Sequence, residues 1–297
     1  MLKNYTKSQK TVLWIVFTIF LIYAFTLVYP FIWAFINSMK GREEYAADVL
    51  GFPSSFSEFG HNYKIAYEAL SVSMGNSSVP FTGVFVNSLL YTGLSTFMTV
   101  ASSAVAAYTV AKYNFKLKGF FYLLAIFSMM IPLVGALPSQ YRLIKTVLHF
   151  DSIPGMAIVN SGGFGYNFIM LYAFFKGISW QYAEAAFIDG ASNFKVFTKV
   201  MLPQAKPALV AIFITAAIGC WNDYMTPLLF LEWKTPVLSY AVYDLKNKVG
   251  KSLSDGEKVT EPIFYAANLI ATVPMIIVFS IFSNTIIENT VAGGLKG

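Results

Sequence analysis

Charge is what this sequence has least of: only 12% of its 297 residues are Asp, Glu, Lys or Arg, against 56% hydrophobic. With a mean hydropathy of +0.58, too little polar surface is left to clothe a soluble globule of this length. Cysteine is almost missing as well. Cys220 stands alone in an apolar run, which excludes a disulfide framework and a cysteine metal site and leaves a small packing residue. The two histidines, His61 and His149, have no companion at metal-ligand spacing. No complete Gly-x-x-x-x-Gly-Lys-Ser/Thr loop is present to cradle a phosphate, since Gly250-Lys251-Ser252 has Leu245 where the first glycine is needed, and no Ser/His/Asp arrangement follows from spacing. The net charge of +6 sits in short tracts between apolar runs. That pattern orients a chain in a membrane and does not read nucleic acid.

What is there is a series of long apolar runs, which predicts an all-α membrane protein of six transmembrane helices in one domain. The expected spans are 11–39, 81–111, 119–137, 156–175, 207–231 and 262–287. The first run is too long for a signal-peptide core and lacks a cleavage site, so it is read as a retained span. Pro132 and Pro138 are expected to kink or end the third. Segments 40–80, 139–155 and 232–261 are the expected outer connections. Lys and Arg totals do not decide orientation, with eleven on the expected inner segments and ten on the outer loops. The acid-free tracts Lys3, Lys7, Lys10 and Lys112, Lys116, Lys118 lie close to span ends, where the bias counts most, and they place both termini in the cytoplasm.

One loop, 177–206, interrupts the oily chain with two short amphipathic pieces joined at Asp189-Gly190. Ser179 is a candidate cap for the first piece, Gly190 permits a turn that bulkier residues resist, and Ser192 is a candidate cap for the second. Pro203 is expected to stop that second piece. Ala185 and Ala186 leave room for another surface, while Glu184 and Asp189 give the contact charge and register.

Glu184-Ala185-Ala186, Gly190 after three further residues, and Leu202-Pro203 at the loop's end together resemble the EAA motif of ABC importer permeases. The pattern usually has Ile two residues before Leu-Pro; here Val200 stands there. The wider match, EAAFIDGAS, LPQAKPAL, WNDYMTPLLF and the terminal VAGGLKG, is similar to the carbohydrate-uptake branch, specifically maltose-type inner-membrane subunits of the second kind. The resemblance implies the type I ABC importer permease fold, in the cytoplasmic membrane of a bacterium. It also implies a homologous second permease subunit, two cytoplasmic ATPase subunits and an extracytoplasmic solute-binding protein. The loop, through Glu184, Ala185, Ala186, Asp189, Gly190, Leu202 and Pro203, is then expected to dock on the ATPase. ATP and Mg are used by that partner, and no cofactor or metal is expected on this chain. The expected cargo is a sugar, an oligosaccharide for preference, with another solute such as glycerol phosphate as the alternative. A secondary transporter would need intramembrane acid or base relays and inverted repeats, and an intramembrane enzyme a paired catalytic constellation.

Asp223, in Asn222-Asp223-Tyr224, is the one acid inside an expected span. It reads either as a gate or sugar-contacting group on the pathway, or as a near-interface acid that ties down the bend at Pro227. Trp14, Trp33, Trp180, Trp221 and Trp233 lie near expected span ends, as interfacial anchors do. Asn87-Ser88 and Asn160-Ser161 are polar breaks whose expected role is interhelical hydrogen bonding. The tail 288–297 carries Gly293, Gly294 and Lys296 and resembles tails that enter the ATPase interface, which makes it a candidate second contact.

Overall fold

A computed structural model describes residues 6–74, 77–131, 135–231, 235–253 and 256–294, with only the backbone described beyond residue 283. Trp233 and Lys296 lie outside these residues. The chain divides into two compact units: Met1–Leu70 with Asp244–Thr272, and Ser71–Tyr243 with Val273–Gly297.

In the first unit, α1 (Lys7–Ser38) opens on a capping box, in which Thr6 accepts from the Gln9 backbone and Gln9 reaches back to Thr6. Every residue from Thr11 to Ile32 is exposed, and an apolar helix bare on all sides is stable only where lipid covers it. α2 (Arg42–Ala47) and α3 (Ser57–Ala69) follow. α3 packs on α1, and its Asn62 side chain donates to the Ser38 and Lys40 carbonyls at 2.9 Å each. Those carbonyls have no intrahelical partner, so Asn62 finishes α1 from outside.

The second unit begins with a hairpin, β1 (Val72–Met74) and β2 (Ser77–Val79), paired antiparallel with Val72 opposite Val79. Its centre is α4 (Phe81–Lys112), packed against three later helices, α7 (Ile153–Asn160), α8 (Tyr166–Gly177) and α12 (Lys206–Asn222). Small buried residues on α4, among them Ser95, Ser103, Ala104 and Ala107, let those neighbours approach closely. Of the polar breaks, Asn160 bonds across helices as expected, Asn87 and Ser88 reach residues 236 and 238, and Ser161 Oγ donates to the Ile158 carbonyl of its own helix. Asn160 Nδ2 donates to Ser95 Oγ at 3.2 Å, Asn87 Nδ2 to the Pro236 carbonyl at 3.1 Å, and Ser88 Oγ accepts from the Leu238 backbone at 2.6 Å.

Several expected spans are interrupted, each for a local reason. The third, expected over 119–137, is described as α5 (Lys118–Met130), and Pro132 lies outside the described residues. Ile131 turns extended at φ −72°, ψ 117°, as a residue before proline must. The connection expected at 139–155 is largely helical, with α6 (Leu137–Tyr141), a π-helical turn Arg142–Val147 and the start of α7. The fourth span, expected over 156–175, breaks between α7 and α8, where Gly163 (φ 68°) and Gly165 (φ 116°) take left-handed backbone. The fifth, expected over 207–231, ends its long helix at Asn222 and resumes as α13 (Met225–Phe230). Within 232–261 lies α14 (Leu238–Lys248), and α15 (Glu261–Gly294) runs past the expected end of the sixth span. Among the described residues, three helices are long and apolar enough to cross a membrane, and a fourth span forms if the bent pair Asn193–Gln204 and Lys206–Asn222 is one.

The candidate coupling surface

The loop from Ile178 to Ala205 begins on a fixed base. Lys112 Nζ, at the end of α4, donates to the Ile178 carbonyl, and the Trp180 ring stands 5.9 Å from Tyr113 and 6.1 Å from Phe187. α9 (Gln181–Ile188) is capped by Trp180, whose carbonyl accepts from Ala183 and Glu184. Ser179, the expected cap, sits one residue earlier and accepts from the Gln181 backbone at 3.3 Å.

The spacing of the motif has a direct geometric cause at the end of α9. Gly190 N–H donates to the Phe187 carbonyl at 3.0 Å, and Ala191 N–H to the Ala186 carbonyl at 2.9 Å. These two bonds, with Gly190 at φ 79°, form a Schellman closure, which places glycine four residues after the carbonyl that its neighbour engages. Ala186 and Gly190 are therefore one structural device. Ser192 caps the next helix as expected, accepting from the Lys195 backbone at 3.4 Å, while Asn193 Oδ1 accepts from the Tyr113 hydroxyl at 3.0 Å.

α10 (Asn193–Val196) passes into a π-helical turn, Phe197–Met201, and then α11 (Leu202–Gln204). Pro203 does not stop this segment. The wider π turn absorbs the proline, which has no N–H to give and would crowd a tighter turn. The chain instead bends by 79° at Ala205, between the segments 193–204 and 206–222, and Pro207 sits in the first turn of α12, where its missing donor costs nothing.

Beneath the loop, Ala183, Val196, Met201 and Ala205 are buried with Tyr108, Phe168, Leu171 and Phe175. The Tyr108 ring touches both sides of this core, 4.7 Å from Phe197 and 5.5 Å from Phe175. On top, Glu184, Ala185, Asp189 and Gly190 are exposed and Ala186 is half-buried. Ile188 is 86% exposed and Phe194 75%. Those two apolar side chains, with Tyr182, make a protruding knob rimmed by two carboxylates. Sequence reasoning found the carboxylates and alanines but missed Ile188 and Phe194. The signal was available, since each is a large apolar residue out of phase with the buried positions Ala183 and Val196.

Asn222, Asp223 and Tyr224 lie at the far end of α12, roughly 25 Å from the bend at a rise of about 1.5 Å per residue. Asp223 is extended (ψ 106°) and breaks the helix. Its Oδ1 accepts from the Thr226 backbone at 3.0 Å, capping α13, and its carbonyl accepts from Ser239 Oγ at 2.8 Å. Asn222 Nδ2 donates back to Ile218, and Tyr224 stacks on Tyr243 at 4.6 Å. The acid thus tethers the start of α13. Gly293 and Gly294 fall in the last turn of α15.

Comparison with known proteins gives the family and the fold. Residues 99–291 match the family model described as "Binding-protein-dependent transport system inner membrane component". The chain is 27% identical over 271 residues to the melibiose/raffinose/stachyose import permease protein MelC of Bacillus subtilis, covering 90% of this chain and 91% of that one. It is 29% identical over 218 residues to the trehalose transport system permease protein SugB of Mycobacterium tuberculosis, covering 73% and 78%. A chain of the crystal structure of a bacterial ABC transporter that imports the acidic polysaccharide alginate superposes with a TM-score of 0.74 at 22% identity, over 94% of this chain and 98% of that one. The fold is shared.

Proposed function

We propose a function from the premise that this chain belongs to the family of inner-membrane components of binding-protein-dependent transport systems: it is the transmembrane subunit of an ATP-driven importer of sugars, oligosaccharides by preference. The observation that carries the reading is the knob of Ile188 and Phe194 with Glu184 and Asp189, held by a Schellman closure on a rigid aromatic base. It is joined through the bend at Ala205 to α12. The names of the relatives, which import melibiose, raffinose, stachyose and trehalose, support a carbohydrate as cargo.

In this reading the knob enters a cleft on a cytoplasmic ATPase, with Ala185 and Ala186 admitting close approach and Leu202-Pro203 carrying the push into the bend. Because Met201 and Ala205 are buried at the bend, displacement of the loop is transmitted to α12 by contact, packed interiors being close to incompressible. The far end of α12 meets α13 at Asp223, where a hydrogen-bonded joint in place of continuous helix lets the two segments turn relative to one another. Two ATPase copies bind the ATP and Mg; this chain binds no cofactor. A homologous second permease subunit completes the pathway, a solute-binding protein delivers the sugar from outside, and both termini face the cytoplasm. The terminal residues Gly293, Gly294 and Lys296 give the ATPase a second contact.

The test is to co-express the chain with an ATPase and a second permease subunit of its own host, introduce Ala185→Cys, and cross-link in membranes with and without ATP. The expected outcome is a cross-link to the ATPase whose yield changes with nucleotide, and sugar-stimulated ATP hydrolysis in proteoliposomes. A chain that purifies without an ATPase, or hydrolysis that ignores every sugar supplied with its binding protein, overturns the reading.

A further inference from the structure

The first unit carries a second set of exposed apolar side chains, outside every span, that coupling does not use. After α1 the chain turns back on itself. Lys40, fully buried, donates its Nζ to the Asp48 carbonyl at 2.7 Å, and Trp33 Nε1 donates to the Val49 carbonyl at 3.0 Å. Trp33 lies five residues before the end of α1, so Val49 has returned roughly 7 Å along the helix, at about 1.5 Å per residue. The return is fixed by Asp48 Oδ1, which accepts from Leu50 and Gly51 at 3.0 and 2.8 Å, and by Glu44, which accepts from Ser54.

The segment so placed, VLGFPSSF over residues 49–56, holds no charge. Leu50 is 76% exposed, Phe52 82% and Phe56 70%. α3 continues the same surface. Its buried face is Asn62, Ile65, Ala66 and Ala69; beside it, Phe56, Phe59, Tyr63 and Tyr67 recur every three or four residues, which puts them in one stripe. The Phe59 and Tyr63 rings stand 4.6 Å apart. His61, Lys64 and Glu68, all exposed, form the next stripe round. An aromatic face adjoining a polar one is the pattern of a helix lying in a membrane interface. At the same level, Trp33, Tyr45 and Tyr265 form an aromatic cluster, with Trp33 5.1 Å from Tyr265 and the two tyrosine hydroxyls bonded at 2.8 Å, as a headgroup-level belt requires.

We infer that residues 49–56 and the aromatic stripe of α3 form an interfacial anchor, seated in the lipid leaflet at the C-terminal end of α1. The occupant is lipid and not protein because the patch is continuous with the bare apolar surface of α1, is uncharged, and is held back toward the span instead of away from it. A free apolar patch of this kind in water would be an aggregation site. The anchor rests on the reading of α1 as a span.

The test is depth measurement by spin labels on the full chain, purified with the chains that accompany it and reconstituted in vesicles of phosphatidylcholine and phosphatidylglycerol. Single cysteines replace Phe52, Phe56, Phe59, Lys64 and Leu21 in a Cys220→Ser background. Labels from Phe52→Cys, Phe56→Cys and Phe59→Cys are expected about 5 to 10 Å below the phosphates, open to oxygen and closed to a water-soluble nickel chelate. The Lys64→Cys label shows the reverse, and Leu21→Cys reports the bilayer interior. Stripe labels as open to nickel as Lys64→Cys overturn the anchor. Stripe labels closed to both reagents also overturn it, and mean that the partner permease or the binding protein covers the patch. If the Leu21→Cys label is not in lipid, the spanning of α1 fails and the anchor with it.

Discussion

Two regions of this molecule expose large apolar side chains outside any long helix, and they differ in what surrounds those side chains. Ile188 and Phe194 are exposed on the loop that also carries Glu184 and Asp189, above a core that includes Ala183, Val196 and Met201. Leu50, Phe52 and Phe56 protrude from a stretch without a single charge, pinned to the end of α1 by Trp33 and Lys40. Exposure alone would score the two alike. Charge at the rim and the direction of the tether separate them: a protein cleft can pair carboxylates, whereas lipid hydrocarbon cannot. The first region is built to be pushed and the second to be held.

The strongest way to break the comparison is to remove the turn under the knob. Gly190→Pro forbids φ 79° and deletes the N–H that reaches Phe187, at a local cost of about 3 kcal/mol. Transport and sugar-stimulated ATP hydrolysis in proteoliposomes should fall to background while the subunits still purify together. Normal coupling with full expression would reduce the motif to decoration. A paired substitution sharpens the contrast. Ile188→Asp should uncouple hydrolysis from transport with little change in thermal stability. Phe52→Asp should leave the ratio of ATP used to sugar moved unchanged and lower the melting temperature in vesicles, since the aromatic anchor is lost and a charge near the interface costs up to about 1 kcal/mol. If both act on coupling alone, the distinction between the two regions is lost.

Much of this was legible in the sequence because the signals were local. The apolar runs of α1 and α4 needed only length, and Gly190 and Ser192 announce their roles through backbone chemistry that depends on a few neighbouring residues. The interrupted spans were less legible. A hydropathy window averages over Gly162-Gly163 and over Asp223, although either suffices to open a helix when side chains take up the freed groups, as Asp223 does for the Thr226 N–H and Ser239 for the Asp223 carbonyl. The Pro203 expectation was overturned for a related reason, because a π turn lies in hydrogen-bond register and not in composition. The anchor in the first unit was hidden altogether. Phe52 and Phe56 look like loop residues until the Trp33 bond shows how far back along α1 the loop is drawn.

A smaller effect is expected at the far end of α12, where charge serves the chain itself. If Asp223 is a cap, Asp223→Asn keeps the acceptor for Thr226 and should transport normally, whereas Asp223→Ala should cost about 1 kcal/mol of stability and slow transport in proportion. Loss of transport in the Asn variant at unchanged stability would make the carboxylate a gate, and place functional charge at both ends of the helix.

The smallest effect concerns the tether of the uncharged loop. Bonds from Gly51 first, and then Leu50, hold the Asp48 carboxyl below its ordinary 3.8, and bonds from Ser54 hold Glu44 below its ordinary 4.5. For a group whose folded value is depressed, the linked order is fully present above the unfolded value and is lost as pH falls through the folded one. A spin label at Phe52→Cys should therefore keep constant mobility from neutral pH down to about 4 and loosen only below it. Asp48→Asn, which retains an acceptor oxygen that does not titrate, should shrink that step, and Glu44→Gln added to it should remove the step. Loosening that begins above pH 5, or a step unchanged in the double variant, would mean that lipid alone holds the loop, and that the two carboxylates follow its position instead of setting it.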